Sequence, residues 1–192
     1  MGRLRLRTFI AILLDEAVRR RLVSLQDGMM SLAPDVKWVA PENLHVTMLF
    51  LGEVDALEVV DICREVREVC SRRSPIELTL SGVGCFPNER RPKVIWAGIE
   101  QGREALVELH HAIEEPLLKL GAYRREEREF TPHVTLGRAK GGELSLSFRQ
   151  HLKQASTWQG GRMEVEAVHV MSSELTPDGP IYSVVSRERL GR

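Results

Sequence analysis

Two rhythms of apolar residues alternate along this chain, and their order predicts its elements. Arg5 to Leu14 is a compact apolar run that suits a buried strand. Asp15 then stands at an N-cap position, and Val18, Leu22, Leu25 and Met29 follow at helical spacing until Pro34. Val36 to Val39 is a short extended piece. Pro41-Glu42-Asn43 is a turn, and His45 to Leu51 reads as a strand closed by Gly52. Asp55 with Glu58 resembles a capping box, opening a helix that runs to about Arg73 on Leu57, Ile62, Val66 and Val69.

The second half repeats the alternation. Ile76 to Val83 is a strand, Gly84 to Pro92 a loop, and Val94 to Ile99 another strand. Arg103 to Leu120 is a helix with Leu106, Leu109, Ile113, Leu117 and Leu120 on one face, and Pro116 is expected to kink or restart it. A charged connection covers 121–130. Thr131, held extended by Pro132, leads into a strand starting at His133. Glu143 to Lys153 reads as a short helix. Met163 to Met171 and Ile181 to Arg187 are strands joined across the turn Thr176-Pro177-Asp178-Gly179. With no low-complexity linker, residues 1–192 are expected to form one α+β domain of two closely packed lobes.

Composition narrows the class. Hydrophobic content of 43% and charged content of 28% are those of a soluble globular protein. No apolar run approaches the 18 residues of a membrane span. The N-terminal arginines before Thr8 to Leu14 mimic a signal peptide, but Asp15-Glu16 follow without a cleavage pattern, so the buried strand is preferred. Three cysteines, Cys63, Cys70 and Cys85, make no even disulfide framework and fit a reducing cytoplasm. Charge balances at 27 basic against 27 acidic residues, which argues against a protein that coats long nucleic acid. The basic residues are clumped at Arg19-Arg20-Arg21, Arg72-Arg73, Arg90-Arg91 with Lys93, and Arg124-Arg125, mostly as solvated faces. No CxxC, HExxH or carboxylate cluster suggests a metal, and no cofactor is expected.

The chemistry lies in a repeated tetrapeptide. His45-Val46-Thr47-Met48 and His133-Val134-Thr135-Leu136 stand 88 residues apart (133 − 45), one in each half. Residues i and i+2 of a strand share a face about 6.6–6.8 Å apart, so each motif presents an imidazole and a hydroxyl together. Two such strands face to face would give one cleft two of each. Histidine titrates near neutrality. One neutral imidazole can take a proton from attacking water while the other, charged, protonates a departing ribose oxygen. The threonines can donate to non-bridging phosphate oxygens. A lone histidine on a strand is usually structural. His110, His111, His151 and His169 are read that way, and the paired motif is not.

These residues resemble the two-histidine (2H) phosphoesterase superfamily, in particular the LigT-like RNA 2′,3′-cyclic phosphodiesterases, also called 2′-5′ RNA ligases. The matching stretches are Arg7-Thr8-Phe9-Ile10-Ala11, Pro41 to Thr47, Phe50-Leu51-Gly52, Arg91 to Gly98, Phe130 to Arg138, and Ser173-Glu174-Leu175. The resemblance implies a bilobal α+β fold of two pseudo-twofold-related antiparallel sheets, with helices outside and a central cleft. It implies metal-free hydrolysis of a terminal RNA 2′,3′-cyclic phosphate to a 2′-phosphate, with His45 as proton donor, His133 as proton acceptor, and Thr47 and Thr135 on phosphate oxygens. Arg138 matches a further phosphate-binding position. Strict alternation sets it opposite His133, so its reach requires Gly137 to break the strand. The partners expected are RNA ends or small nucleotides bearing a 2′,3′-cyclic phosphate, such as ADP-ribose cyclic phosphate, with no membrane and a monomeric chain. A non-catalytic binder of RNA ends is the alternative of a different class.

Overall fold

The computed structural model describes residues 4–88, 91–125, 128–141 and 143–191; Met1 to Arg3 and Arg90 of the basic stretches lie outside these. Strand β1 (Arg5–Leu13) is the predicted first strand, with Ile10, Ala11 and Ile12 at most 1% exposed. Helix α1 (Glu16–Met30) is capped by the Asp15 carboxylate, which accepts from the Val18 amide at 2.7 Å. Val18, Leu22 and Met29 form its buried face. Strand β2 (Val36–Trp38) and a 3₁₀ turn at Pro41–Asn43 lead into β3 (His45–Asp55). Helix α2 (Ala56–Ser71) is capped by Asp55, which accepts from the Leu57 amide at 3.0 Å. Val59 joins Ile62, Val66 and Cys70 on its buried face, whereas Leu57 is exposed.

Strands β4 (Ile76–Phe86) and β5 (Val94–Ile99), helix α3 (Arg103–Leu120) and strand β6 (His133–Ala139) follow. Helix α4 (Leu146–Gln154) and strands β7 (Gln159–Val165), β8 (Ala167–Thr176) and β9 (Gly179–Arg189) complete the chain. All pairings are antiparallel, in the order β7-β4-β5-β6-β3-β1-β8-β9, with β2 on β6. The path divides into two four-stranded halves with related layouts. Each half has its motif strand innermost, and the halves meet through a single residue pair, Val46 with Val134.

That one contact would hold two lobes poorly, and the helices supply the rest. Helix α1 packs across onto β7 of the opposite half, while α3 touches both α2 and β3. One continuous apolar cluster results, taking in Ile10, Leu22 and Ile62 as well as Leu80, Leu109 and Phe148. Burying a side chain of this size is worth about 1.5–3 kcal/mol.

Several elements depart from the sequence expectation. Strand β3 does not stop at Gly52. Gly52 adopts a φ of 74° beside a bulge, and pairing resumes to Asp55. Residues 84–86 belong to β4, because Gly84 accepts the Trp96 ring where a Cβ would come within 2.4 Å of it. The apolar run from Met163 is two strands, since Glu166 shifts its parity: Val165 and Ala167 are buried, and so is Val168. Of the two outcomes expected at Pro116, the restart does not occur: α3 runs on as one helix with Ile113 and Leu117 fully buried around the proline.

Candidate active site

The Val46–Val134 pair fixes the geometry of the centre. Antiparallel register places His45 across from Thr135 and Thr47 across from His133. The valines point into the core with no exposed surface, so the four polar residues share the other face. In a regular antiparallel ladder directly opposed Cβ atoms lie about 4.5–5.5 Å apart and diagonal ones, the relation of His45 to His133, about 7–8 Å. A phosphate fits that gap between two imidazoles.

Both imidazoles are oriented identically by the backbone. His45 Nδ1 lies 2.7 Å from the Asn43 carbonyl oxygen, and His133 Nδ1 lies 2.6 Å from that of Thr131. A carbonyl only accepts, so each Nδ1 carries the proton and each Nε2 faces the reaction. His45 Nε2 is 2.9 Å from Thr47 Oγ1, which donates to it while the ring is neutral. Phe9 and Tyr182 pack on His45 at centroid distances of 5.2 and 5.4 Å. Phe86 and Trp96 pack on His133 at 5.3 and 6.3 Å. Burial among these rings is the main force lowering both histidine pKa values. The carbonyl bonds oppose it, the Arg138 charge adds to it at both rings, and the charge of His133 adds to it at His45.

Arg138 reaches the cleft, though not by the break expected at Gly137. Ile95 pairs with Gly137 but Trp96 pairs with Thr135, so Leu136 is the extra residue of a β-bulge. Leu136 and Gly137 are both buried, and Arg138 returns to the face of Thr135. Gly137 serves a different need, since a Cβ there would lie 2.6 Å from Val36 of β2. The same bulge occurs in β3. Ile10 pairs with Leu49 and Ala11 with Thr47, leaving Met48 as the extra residue. Phe50 is therefore the positional counterpart of Arg138, three residues past its threonine, and it is 41% exposed.

His45, Thr47, Thr135 and Arg138 line one cavity of about 510 Å³, which Arg7 and Tyr182 also border. His133 lines an adjoining cavity of about 480 Å³, and Thr47 and Phe50 border both. The sequence did not single out the orienting carbonyls of Asn43 and Thr131, nor the Phe9, Tyr182, Phe86 and Trp96 rings. The only signal for the carbonyls was their shared place two residues before each motif histidine. The remaining histidines are not brought in beside the motif imidazoles. His110 borders the second cavity from α3, stacked on Phe130 at 4.1 Å. His110, His111 and Glu114 bring ligand-type atoms within 4.8 Å of one another, but Arg125 already pairs with Glu114 at 3.1 Å.

A family model described as the 2′-5′ RNA ligase superfamily matches residues 14–177. The chain belongs to this superfamily. Among its members, the RNA 2′,3′-cyclic phosphodiesterase of Methanothermobacter thermautotrophicus is 35% identical, over 97% of this chain and all of that protein. The protein of the same name from Thermotoga maritima is 33% identical, over 94% of this chain and 93% of its own length. The crystal structure of TT0787 of Thermus thermophilus superposes with a TM-score of 0.81 at 31% identity, covering 97% of this chain and 99% of that one. Escherichia coli LigT complexed with 3′-AMP shares the fold, with a TM-score of 0.81 at 23% identity over 98% of this chain and all of LigT. Among the described residues, no helix is long and apolar enough to cross a membrane.

Proposed function

We propose that this 2′-5′ RNA ligase superfamily member is a metal-independent RNA 2′,3′-cyclic phosphodiesterase. It opens a terminal cyclic phosphate to a 2′-phosphate. The observation that carries this reading is the Val46–Val134 register, which brings two Nδ1-protonated imidazoles and two hydroxyls to one face. The names of its relatives support the substrate class.

The cyclic phosphate sits between the imidazoles, its non-bridging oxygens accepting from Thr47, Thr135 and Arg138. Neutral His133 takes a proton through Nε2 from water as its oxygen attacks phosphorus. The bond from phosphorus to O3′ breaks, and charged His45 gives its Nε2 proton to that oxygen. The Asn43 carbonyl steadies the charged His45, and the bound phosphate anion beside it offsets the lowering by burial. When His45 is charged, Thr47 no longer donates to it and its hydroxyl turns to the phosphate. A 5′-hydroxyl in place of the water gives a 2′-5′ linkage by the same transfers. Because both motifs come from one chain, the monomer is complete, and residues 1–192 act as one bilobal unit.

The test is a dinucleotide ending in a 2′,3′-cyclic phosphate, incubated with enzyme in EDTA and resolved by chromatography against 2′- and 3′-phosphate standards. The expected product is the 2′-phosphate at undiminished rate. Tight binding without turnover would leave a binder of RNA ends. Activity lost in EDTA and restored by one metal would overturn the two-imidazole mechanism.

A further inference from the structure

The cleft carries one more cation than a single cyclic phosphate uses. Arg7, on β1, extends its guanidinium over the Phe50 ring at 4.7 Å from the centroid. Phe50 occupies the place that Arg138 holds in the other half, so an aromatic ring replaces one guanidinium and a second guanidinium is brought back from the neighbouring strand. Arg7 and Arg138 border the same cavity, and both charges act on the Tyr182 hydroxyl. No aspartate or glutamate is among the described residues lining that cavity, and none pairs with either arginine among the described residues. Arg7 also borders a neighbouring hollow of about 460 Å³ with Arg5, Glu53 and Glu174, and stands opposite Glu53 in the strand register, so the positive excess lies on its Phe50 side and ends there.

From this arrangement we infer that Arg7, braced on Phe50, binds a second phosphate, the one on the 5′-oxygen of the nucleoside whose cyclic phosphate is opened. The inference rests on the phosphodiesterase reading and deepens it. A cyclic phosphate carries one negative charge, which Arg138 and the charged His45 already face. A nucleoside already closed at O2′ and O3′ has its remaining phosphate on O5′, and in RNA that is the last internucleotide diester. Arg7 is thus a specificity residue that selects the end of an RNA chain over a free nucleoside cyclic phosphate. A guanidinium held by a ring is preorganised for such a contact, since less side-chain freedom is lost on binding.

The test compares adenosine 2′,3′-cyclic phosphate with the same compound carrying a methyl-esterified 5′-phosphate, which mimics the internucleotide diester without a second base. The native enzyme should favour the esterified substrate by tenfold or more in kcat/KM, mostly through KM, the size of a charge-assisted hydrogen bond. That preference should weaken with salt, because the extra charge contact is screened. Arg7→Gln should bring the ratio to within about twofold of unity, and Arg7→Lys should keep a preference between the two, as a point charge replaces the fork. Equal use of both substrates by the native enzyme would overturn the inference whatever the variants do. So would an Arg7→Gln loss of equal size on both. Hydrolysis of neither compound nor of the dinucleotide would instead sink the phosphodiesterase reading.

Discussion

The two halves of the cleft share a backbone and differ in what surrounds it. Each presents a histidine tied through Nδ1 to the carbonyl two residues back, a threonine at i+2, and a bulge immediately after. Around that frame each imidazole packs on two aromatic rings, but the residues differ. His45 has Phe9 and Tyr182 for neighbours and Thr47 on its Nε2; His133 has Phe86 and Trp96, and no Nε2 partner among the described residues. Trp96 lies against Gly84 and Gly98, while the strand positions beside the first motif are Ala11 and Leu13. After the bulge one half carries Arg138 and the other Phe50. The repeated frame supplies two equivalent proton carriers. The unrepeated surroundings must then decide which of them gives the proton and which takes it.

The largest effect expected is from removing either carrier. His45→Ala and His133→Ala should each lower kcat on the order of 10²–10⁴-fold, measured on the cyclic-phosphate dinucleotide. The double variant should lose far less than the product of the two, because the imidazoles act as one unit. Full additivity would mean that the halves work separately, and the comparison would lose its meaning. The threonines come next. Thr47→Val and Thr135→Val each remove one donor to a charged phosphate, a loss of about 10–100-fold. Thr47→Val should be the less damaging, since the resting bond from Thr47 to His45 Nε2 holds the ring neutral, and losing it favours the charged proton donor. Losses of equal size would place that bond outside the catalytic cycle.

The repeated frame was legible in the sequence, and its asymmetry was not. His-Val-Thr twice in apolar strands predicted the quartet because strand parity is a local property. The caps at Asp15 and Asp55 were legible for the same reason. What failed was long-range. The bulges at Met48 and Leu136 exist because pairing with β1 and β5 resumes one residue out of step, and no single strand records its partner's register. Strict alternation accordingly asks for a break at Gly137 to bring Arg138 across, whereas Gly137 admits Val36. Arg7 and Phe50 carry no local sign of their meeting, because it depends on the register of β1 against β3.

The finest test of the asymmetry is the pH profile. Both imidazoles titrate below their ordinary 6.5, through burial first, with the charge of His133 and then of Arg138 adding to it at His45 and that of Arg138 at His133. Only the singly protonated pair is competent: below both macroscopic pKa values there is no base, and above both there is no acid. The kcat/KM profile reports the free enzyme, so it should be a bell whose maximum lies on the acid side of 6.5. In the complex the phosphate anion draws protons back, so the kcat profile should peak at higher pH than that of kcat/KM. Arg138→Gln removes a positive neighbour from both rings, which favours their charged forms, and the kcat/KM maximum should move to higher pH. Phe50→Leu touches no charge at the imidazoles and should leave that maximum where it is. If Arg138→Gln lowers the rate but leaves the maximum unmoved, Arg138 acts on the phosphate alone. Because its charge reaches both rings, Arg138 does not by itself decide which of them gives the proton, and that choice falls to what differs around them, the aromatic neighbours above all.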